Sequence, residues 1–198
     1  MSNYPKYVEI DDTKYTINTD FRVAIECNRI AEDDTIGDYE RVLGIICTLF
    51  GSKALDNPNH YEKLLKMAKK YLSCGKEIND KVDDSNIDMD FIEDMDYIEA
   101  SFMSDYGISL EDTEMHWWKF YKLINGLSNS EMGNCCVLNR VRNLRNFDVS
   151  QIKDEKERNK IIKAKNEVAL KKKKKDVEVE LTEEQQKSVD EFYKALGF

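Results

Sequence analysis

Few side chains of this 198-residue chain are suited to acid–base chemistry. It has only two histidines, His60 and His116. His116 lies in an aromatic helical pattern, and a lone histidine in such a setting is more often a packed or surface residue than a catalyst. No serine or cysteine stands in a nucleophile elbow, and no phosphate-binding loop or dinucleotide fingerprint occurs. We therefore expect a protein that is not an enzyme; a pocket containing His116 and two or more carboxylates would revive a small enzyme as an alternative.

The densest group of potential metal ligands is the acidic segment from Asp83 to Asp90. A calcium loop of the EF-hand type needs glycine at its sixth position and glutamate at its twelfth. Counted from Asp83, those positions hold Asp88 and Asp94, so the pattern fails. The five cysteines form no CxxC pair. We expect no metal site and no cofactor, and the clustered acids favour a solvated face or a docking surface for a basic partner.

Charge is distributed unevenly along a chain whose net charge is −9. Residues 77–114 hold fourteen acidic side chains and one lysine, whereas residues 140–175 hold fourteen basic and five acidic side chains. The run Lys171–Lys175 could neutralise phosphates. However, no aromatic residues interleave with it to stack on bases, and residues 176–184 beyond it are acidic. A role in binding nucleic acid is therefore not expected.

The elements that must position these residues are mostly helices. Only two prolines and eight glycines argue against a loop-rich all-β protein. Alternating residues on either side of Asp11-Asp12 predict a β-hairpin over residues 7–17. Apolar periodicity predicts helices over residues 21–31, 39–50 and 58–72. The predicted fold class is mainly α, a helical bundle with a small N-terminal β-hairpin and a charged C-terminal helical arm.

Residues 88–127 form an aromatic stretch with the pattern of a helical hairpin. The first helix carries an apolar face and ends before Gly107, and Ser109 with Asp112 has the form of a capping box that opens the second helix. The apolar positions of the two helices are Phe91, Met95, Ile98 and Phe102, then Trp117, Phe120, Ile124 and Leu127. Tryptophans at this spacing most often belong to a hydrophobic core.

The residue order in this stretch is more specific than its periodicity. Met115-His116-Trp117-Trp118, Phe120 two residues on, and Leu123-Ile124-Asn125-Gly126-Leu127 stand in one block. This order resembles a family of bacteriophage tail proteins, the gene-product-fifteen family. The resemblance is best over residues 88–145. Asn139-Arg140-Val141-Arg142 resembles the family's isoleucine-arginine segment, although the match is imperfect at Leu138-Asn139.

The resemblance implies a tail assembly chaperone of long-tailed phages or prophages, acting in the host cytoplasm. Such a protein would bind the tape-measure protein, keep its helices soluble and yield as tail-tube protein assembles around them. The alternative is a structural tail or connector protein of the virion. The family offers no catalytic motif that could be transferred to this chain.

The change in composition near residue 150 predicts a division of the chain into two regions. Residues 1–149 are expected to form a helical body with the N-terminal hairpin, including a helix capped by Ser130. Residues 150–198 are expected to form a charged helical arm or tether with a terminal amphipathic helix, which either docks in a partner's groove or folds back on the body. The candidate partner-binding residues are Trp117, Trp118, Phe192 and Tyr193. Assembly into a homo-oligomer is left as an open possibility. No apolar run is long enough for a membrane span.

Overall fold

The computed structural model describes residues 4–76, 87–129 and 135–171. Within these ranges lie a two-stranded sheet and seven α-helices, so the expectation of a mainly α fold with a small N-terminal hairpin is confirmed. No helix in these ranges combines the length and the apolar character that a membrane span needs. The elements are β1 (Tyr7–Ile10), β2 (Thr13–Thr16), α1 (Phe21–Ala31), α2 (Asp38–Phe50), α3 (Tyr61–Leu72), α4 (Met95–Tyr106), α5 (Trp117–Asn125), α6 (Val137–Asn146) and α7 (Glu155–Glu167).

The hairpin forms as predicted and is fixed to α3. Its two turn residues, Asp11 and Asp12, have φ angles of 47° and 62°, the left-handed conformation that a two-residue turn between twisted strands requires. The Asp11 carboxylate accepts a hydrogen bond from Lys63 Nζ at 2.8 Å. The Tyr15 hydroxyl lies 2.6 Å from His60 Nδ1 at the start of α3. These contacts supply the packing that an isolated hairpin lacks in water.

The first three helices pack in sequence, with α2 between α1 and α3. Asp20 caps α1 by accepting a hydrogen bond from the Arg22 amide. α2 has apolar residues around more than one face, which predicts a central position, and Ile46 and Leu49 are indeed fully buried. Gly51 ends α2 with a φ of 83°, a conformation that glycine adopts without strain.

The core centres on Phe120 of α5. Its ring stacks on Phe21 of α1 at 4.5 Å between centroids and on Phe102 of α4 at 5.2 Å. The ring of Trp117 lies 5.8 Å from Phe120. One aromatic group therefore joins helices from both halves of the sequence.

The connection between α4 and α5 differs from the prediction. The first helix ends at Gly107 in the left-handed conformation, as expected, but the second begins at Trp117 and not after Ser109. The Ser109 hydroxyl bonds the Asp112 side chain at 3.0 Å instead of capping a helix. The predicted capping box is therefore wrong.

Two long-range contacts explain this difference. The Arg22 guanidinium donates to the carbonyl oxygens of Leu110 and Glu111. The Glu99 carboxylate accepts from the Leu110 amide at 2.9 Å. Arg22 occupies carbonyl groups that a helix would use internally, whereas Glu99 binds an amide that would lack a partner in the first helical turn. Together these side chains hold residues 109–115 as a loop.

The last two helices bring the start of the arm onto the body. α6 begins at Val137 after Cys136, whose thiol sulfur accepts from the Asn139 amide at 3.5 Å; the predicted cap, Ser130, lies outside the described residues. α6 packs against α4, and α7 packs against α6. α7 itself has no fully buried residue. The proposed division at residue 150 stays a prediction.

Candidate functional site

The two tryptophans hold the end of α3. The Trp117 indole N–H donates to the Leu72 carbonyl at 3.0 Å, and the Trp118 indole N–H donates to the Tyr71 carbonyl at 2.9 Å. Both acceptors lie in the last turn of α3, where carbonyl groups lack helical partners. Trp117 is only 1% exposed, so in this conformation it is a core residue. Trp118 is half-buried.

His116 has a structural role at the start of α5. Its Nδ1 atom accepts a hydrogen bond from the Trp118 amide at 3.0 Å, and its Nε2 atom lies 3.0 Å from the Pro5 carbonyl oxygen. A carbonyl only accepts, so Nε2 carries the proton and the ring is neutral. Burial lowers the pKa of His116, which favours the same neutral form.

An open cleft of about 1110 Å³ beside His116 also contains Asp20 and Glu114. This cleft holds the combination of His116 and two carboxylates that would revive a small enzyme as an alternative. However, both nitrogens of His116 are engaged by backbone groups, and the Asp20 carboxylate bonds the amide and guanidinium of Arg22. The histidine therefore has no free nitrogen with which to accept a substrate proton in this conformation.

The acidic and basic stretches of the sequence meet in the fold. Arg145 makes two hydrogen bonds of 2.7 Å to the Asp94 carboxylate, and the side chains of Arg145 and Asp94 are 10% and 1% exposed. Arg142 bonds Asp88 at 3.1 Å. These two acids are paired within the chain. Of the predicted acidic cluster Asp83–Asp90, residues 83–86 lie outside the described residues, so its role as a solvated face or docking surface stays a prediction. Among the described residues, no group of three or more histidine, cysteine or acidic side chains is placed to hold a metal ion.

Arg145 links three segments of the molecule. Besides Asp94, its guanidinium donates to the backbone carbonyl of Asp88 at 2.8 Å and to that of Val168, just past α7, at 2.6 Å. The segment before α4, the helix α6 and the end of α7 are therefore held at one end of the body.

Four exposed apolar side chains lie on the segments that meet at this junction, and we name them the arm-side surface: Ile87, Ile92, Phe147 and Ile162. They are 61%, 52%, 44% and 38% exposed. Ile87 and Phe147 each adjoin one partner of the Asp88–Asn146 hydrogen bond, which is 2.9 Å long. Ile92 precedes Glu93, whose carboxylate binds the Lys171 amide, and Ile162 lies one turn before Lys165, which donates to the Phe147 carbonyl.

Charged side chains border the arm-side surface. Glu93 and Asp96 are exposed on the α4 side, and Lys163 is exposed beside Ile162 on α7. Apolar contacts within a charged border are typical of reversible protein interfaces. In the described part of the chain, four of the seven large exposed apolar side chains belong to this surface.

The structure describes only two of the four predicted partner-binding residues. Trp117 is enclosed in the core, Trp118 is half-buried at the end of α3, and Phe192 and Tyr193 lie outside the described residues. Their roles as partner contacts stay predictions, and for Trp117 such a contact would require the body to open. Sequence reasoning missed the arm-side surface because its residues come from three separate segments. The only sequence signal was the apolar pair Ile161-Ile162 in a charged helix.

A comparison with protein families gives one match to the chain. The model of the family described as Bacteriophage Gp15 protein matches residues 1–170. No curated protein and no solved structure matches the chain. The family match spans the body, the aromatic stretch and α7.

Proposed function

Because the chain belongs to the bacteriophage Gp15 protein family, we propose that it is a tail assembly chaperone that binds the tape-measure protein and assists tail-tube assembly. Family membership supports a structural or assembly role in the phage particle. The observation that carries the more specific proposal is the arm-side surface, because exposed isoleucine and phenylalanine side chains within a charged border suit an amphipathic helix.

The proposed contact follows from the chemistry of this surface. Ile87, Ile92 and Phe147 would receive apolar residues spaced three and four apart on one face of a tape-measure helix. Glu93 and Asp96 would attract basic residues at the edge of that helix. Glu93 and Asp96 can attract basic residues because the fold leaves them exposed, whereas Asp88 and Asp94 are already paired with arginines.

A small surface also suits the release step that the proposal requires. Four partly exposed side chains fall well below the area of a permanent interface, so the expected affinity of one contact is modest. Several chains would bind along one long partner, and polymerising tail-tube protein would displace them. Binding and release of this kind need no catalytic group, in keeping with the structural role of His116.

Co-expression with the tape-measure protein of the same phage tests the proposal. We expect the tape-measure protein to be soluble only when the two proteins are co-expressed, and the pair to elute together. Replacing Ile87 and Ile92 by serine should reduce recovery of the pair at least tenfold, because these are the two most exposed apolar residues of the surface.

The matched control replaces Tyr39 and Met103 by serine, because these side chains are 50% and 49% exposed but lie outside the arm-side surface. This control should leave recovery unchanged. Equal losses in both variants would remove the surface from the proposal. A tape-measure protein whose solubility is independent of this chain, together with recovery of the chain in purified virions, would favour the structural tail or connector protein instead.

A further inference from the structure

The described chain ends at the arm-side surface. The Lys171 amide donates to the Glu93 carboxylate at 3.0 Å, directly beside Ile92. Another 27 residues follow Lys171 in the sequence. They therefore start next to a cluster of exposed apolar side chains and not at a distant end of the body.

The sequence beyond Lys171 has two features that match this location. First, four more lysines follow Lys171 at once, and the Lys171 amide itself lies at Glu93, one of the exposed acids of this surface. Second, the last eighteen residues carry an apolar stripe with spacings of three, one and three, which falls on one face of a helix: Val189, Phe192, Tyr193 and Leu196.

We propose that residues 181–198 fold back and cover the arm-side surface, where they act as an internal competitor of a partner helix. The apolar stripe would contact Ile87 and Ile92, and the lysines would lie along the acidic border. The competition rests on the proposed function, whereas the docking itself does not. Chaperone molecules would then keep their apolar surface covered until a longer helix replaces the terminal segment.

Chain length and tethering favour this occupant. The nine residues 172–180 can extend over about 30 Å, which is ample because the starting point lies beside Ile92. A tether of this length gives an effective concentration on the order of millimolar. A second copy of the chain at micromolar concentration would therefore lose to the tethered segment at equal intrinsic affinity.

Methyl NMR on the full chain tests the docking. Isoleucine methyl groups are labelled, and a soluble paramagnetic agent reports which of them solvent reaches. We expect the Ile87 and Ile92 methyls to be protected in the unaltered chain. In the variant F192S/Y193S their paramagnetic relaxation should rise several-fold, because the apolar stripe is lost.

The matched control is D190S/E191S, which changes two adjacent residues away from the centre of the stripe and should keep the protection. Equal accessibility of the Ile87 and Ile92 methyls in all three proteins would overturn the proposal. Protection that disappears on dilution would also overturn it, since that result would identify a second copy as the occupant.

The experiment contains no tape-measure protein, so its result does not depend on the proposed function. Competition is then measured by co-purification with the tape-measure protein, which F192S/Y193S should increase several-fold relative to D190S/E191S. If the Ile87 and Ile92 methyls are protected in the unaltered chain but F192S/Y193S does not increase co-purification, the competition alone would be overturned. Failure of every variant to bind the tape-measure protein would refute the proposed function.

Discussion

Replacing Arg145 by methionine should destabilise the protein strongly, and more than replacing the neighbouring Arg142 of the same helix. The Asp94 carboxylate is 1% exposed and receives two hydrogen bonds of 2.7 Å from Arg145. Without them a buried carboxylate keeps only the Asp90 amide as a donor among the described residues. Removing one partner of a buried ion pair costs about 3–5 kcal/mol. For a chain of this size, that corresponds to a fall in melting temperature of about 6–20 °C.

The same helix offers a matched control. Arg142 also pairs with an acid, Asp88, but the two side chains are 36% and 23% exposed. A partly exposed pair of this kind contributes about 1 kcal/mol or less, so R142M should have a small effect. The free energy of unfolding of each variant can be measured by urea denaturation, with tryptophan fluorescence as the signal.

A second substitution separates two causes of the stability loss in R145M: the unpaired buried Asp94 carboxylate and the lost Arg145 contacts. The double variant D94N/R145M should recover part of the stability, because an uncharged amide costs less to bury than an unpaired carboxylate. If R145M were no less stable than R142M, or if the double variant were less stable than R145M, the assignment of Arg145–Asp94 as the buried electrostatic junction would be refuted.

Three further substitutions test other parts of the structure. Y71F should be equally stable or more stable by about 1 kcal/mol in urea denaturation, because the buried Tyr71 hydroxyl has no hydrogen-bond partner in the ranges described; a loss above 1 kcal/mol would show that a partner exists. G107A should cost about 1–2 kcal/mol by the same measurement, because φ is +64° there while space for the added methyl is free; no loss would mean that the turn adopts another conformation. Burial lowers the pKa of His116, so its neutral form contributes stability that is present above pH 6.5 and is lost as pH falls through the folded-state pKa. H116N keeps a capping side chain and should therefore lose less stability between pH 7 and pH 5 than the unaltered protein; identical pH profiles would contradict this role.

Local sequence signals predicted most of the elements correctly. The hairpin follows from alternation around Asp11-Asp12, and α1 and α2 follow from apolar periodicity. The end of α4 at Gly107 follows from the freedom of glycine to adopt a positive φ. In each case the interactions that decide the structure lie within a few residues of one another.

Long-range contacts account for what the sequence did not reveal. Ser109 and Asp112 satisfy the local pattern of a helix start, but Arg22 and Glu99 bind the neighbouring backbone and hold it as a loop. The pairing of Arg145 with Asp94 joins residues 51 positions apart, so the uneven distribution of charge along the sequence did not identify these partners. Charge composition alone therefore overestimated the acidic surface left for another protein.

The aromatic block shows how one motif supports two interpretations. Its residue order identified the family, which the match over residues 1–170 confirmed. Its tryptophans were also candidates for partner contact, yet both indole N–H groups bind the end of α3. The motif is explained by the fold, because it joins α1, α3 and α5. The arm-side surface, assembled from three segments, could be found only from the structure.

The most direct test of the chaperone account places a photoreactive amino acid at position 92 of the full chain in cells that produce the phage. The account predicts a cross-link to the tape-measure protein before tails are complete. It also predicts that purified virions contain neither the cross-linked product nor this chain. The same group at position 39 should give no such product. Absence of the cross-link at position 92, with the chain present in purified virions, would contradict the account and favour a structural tail protein.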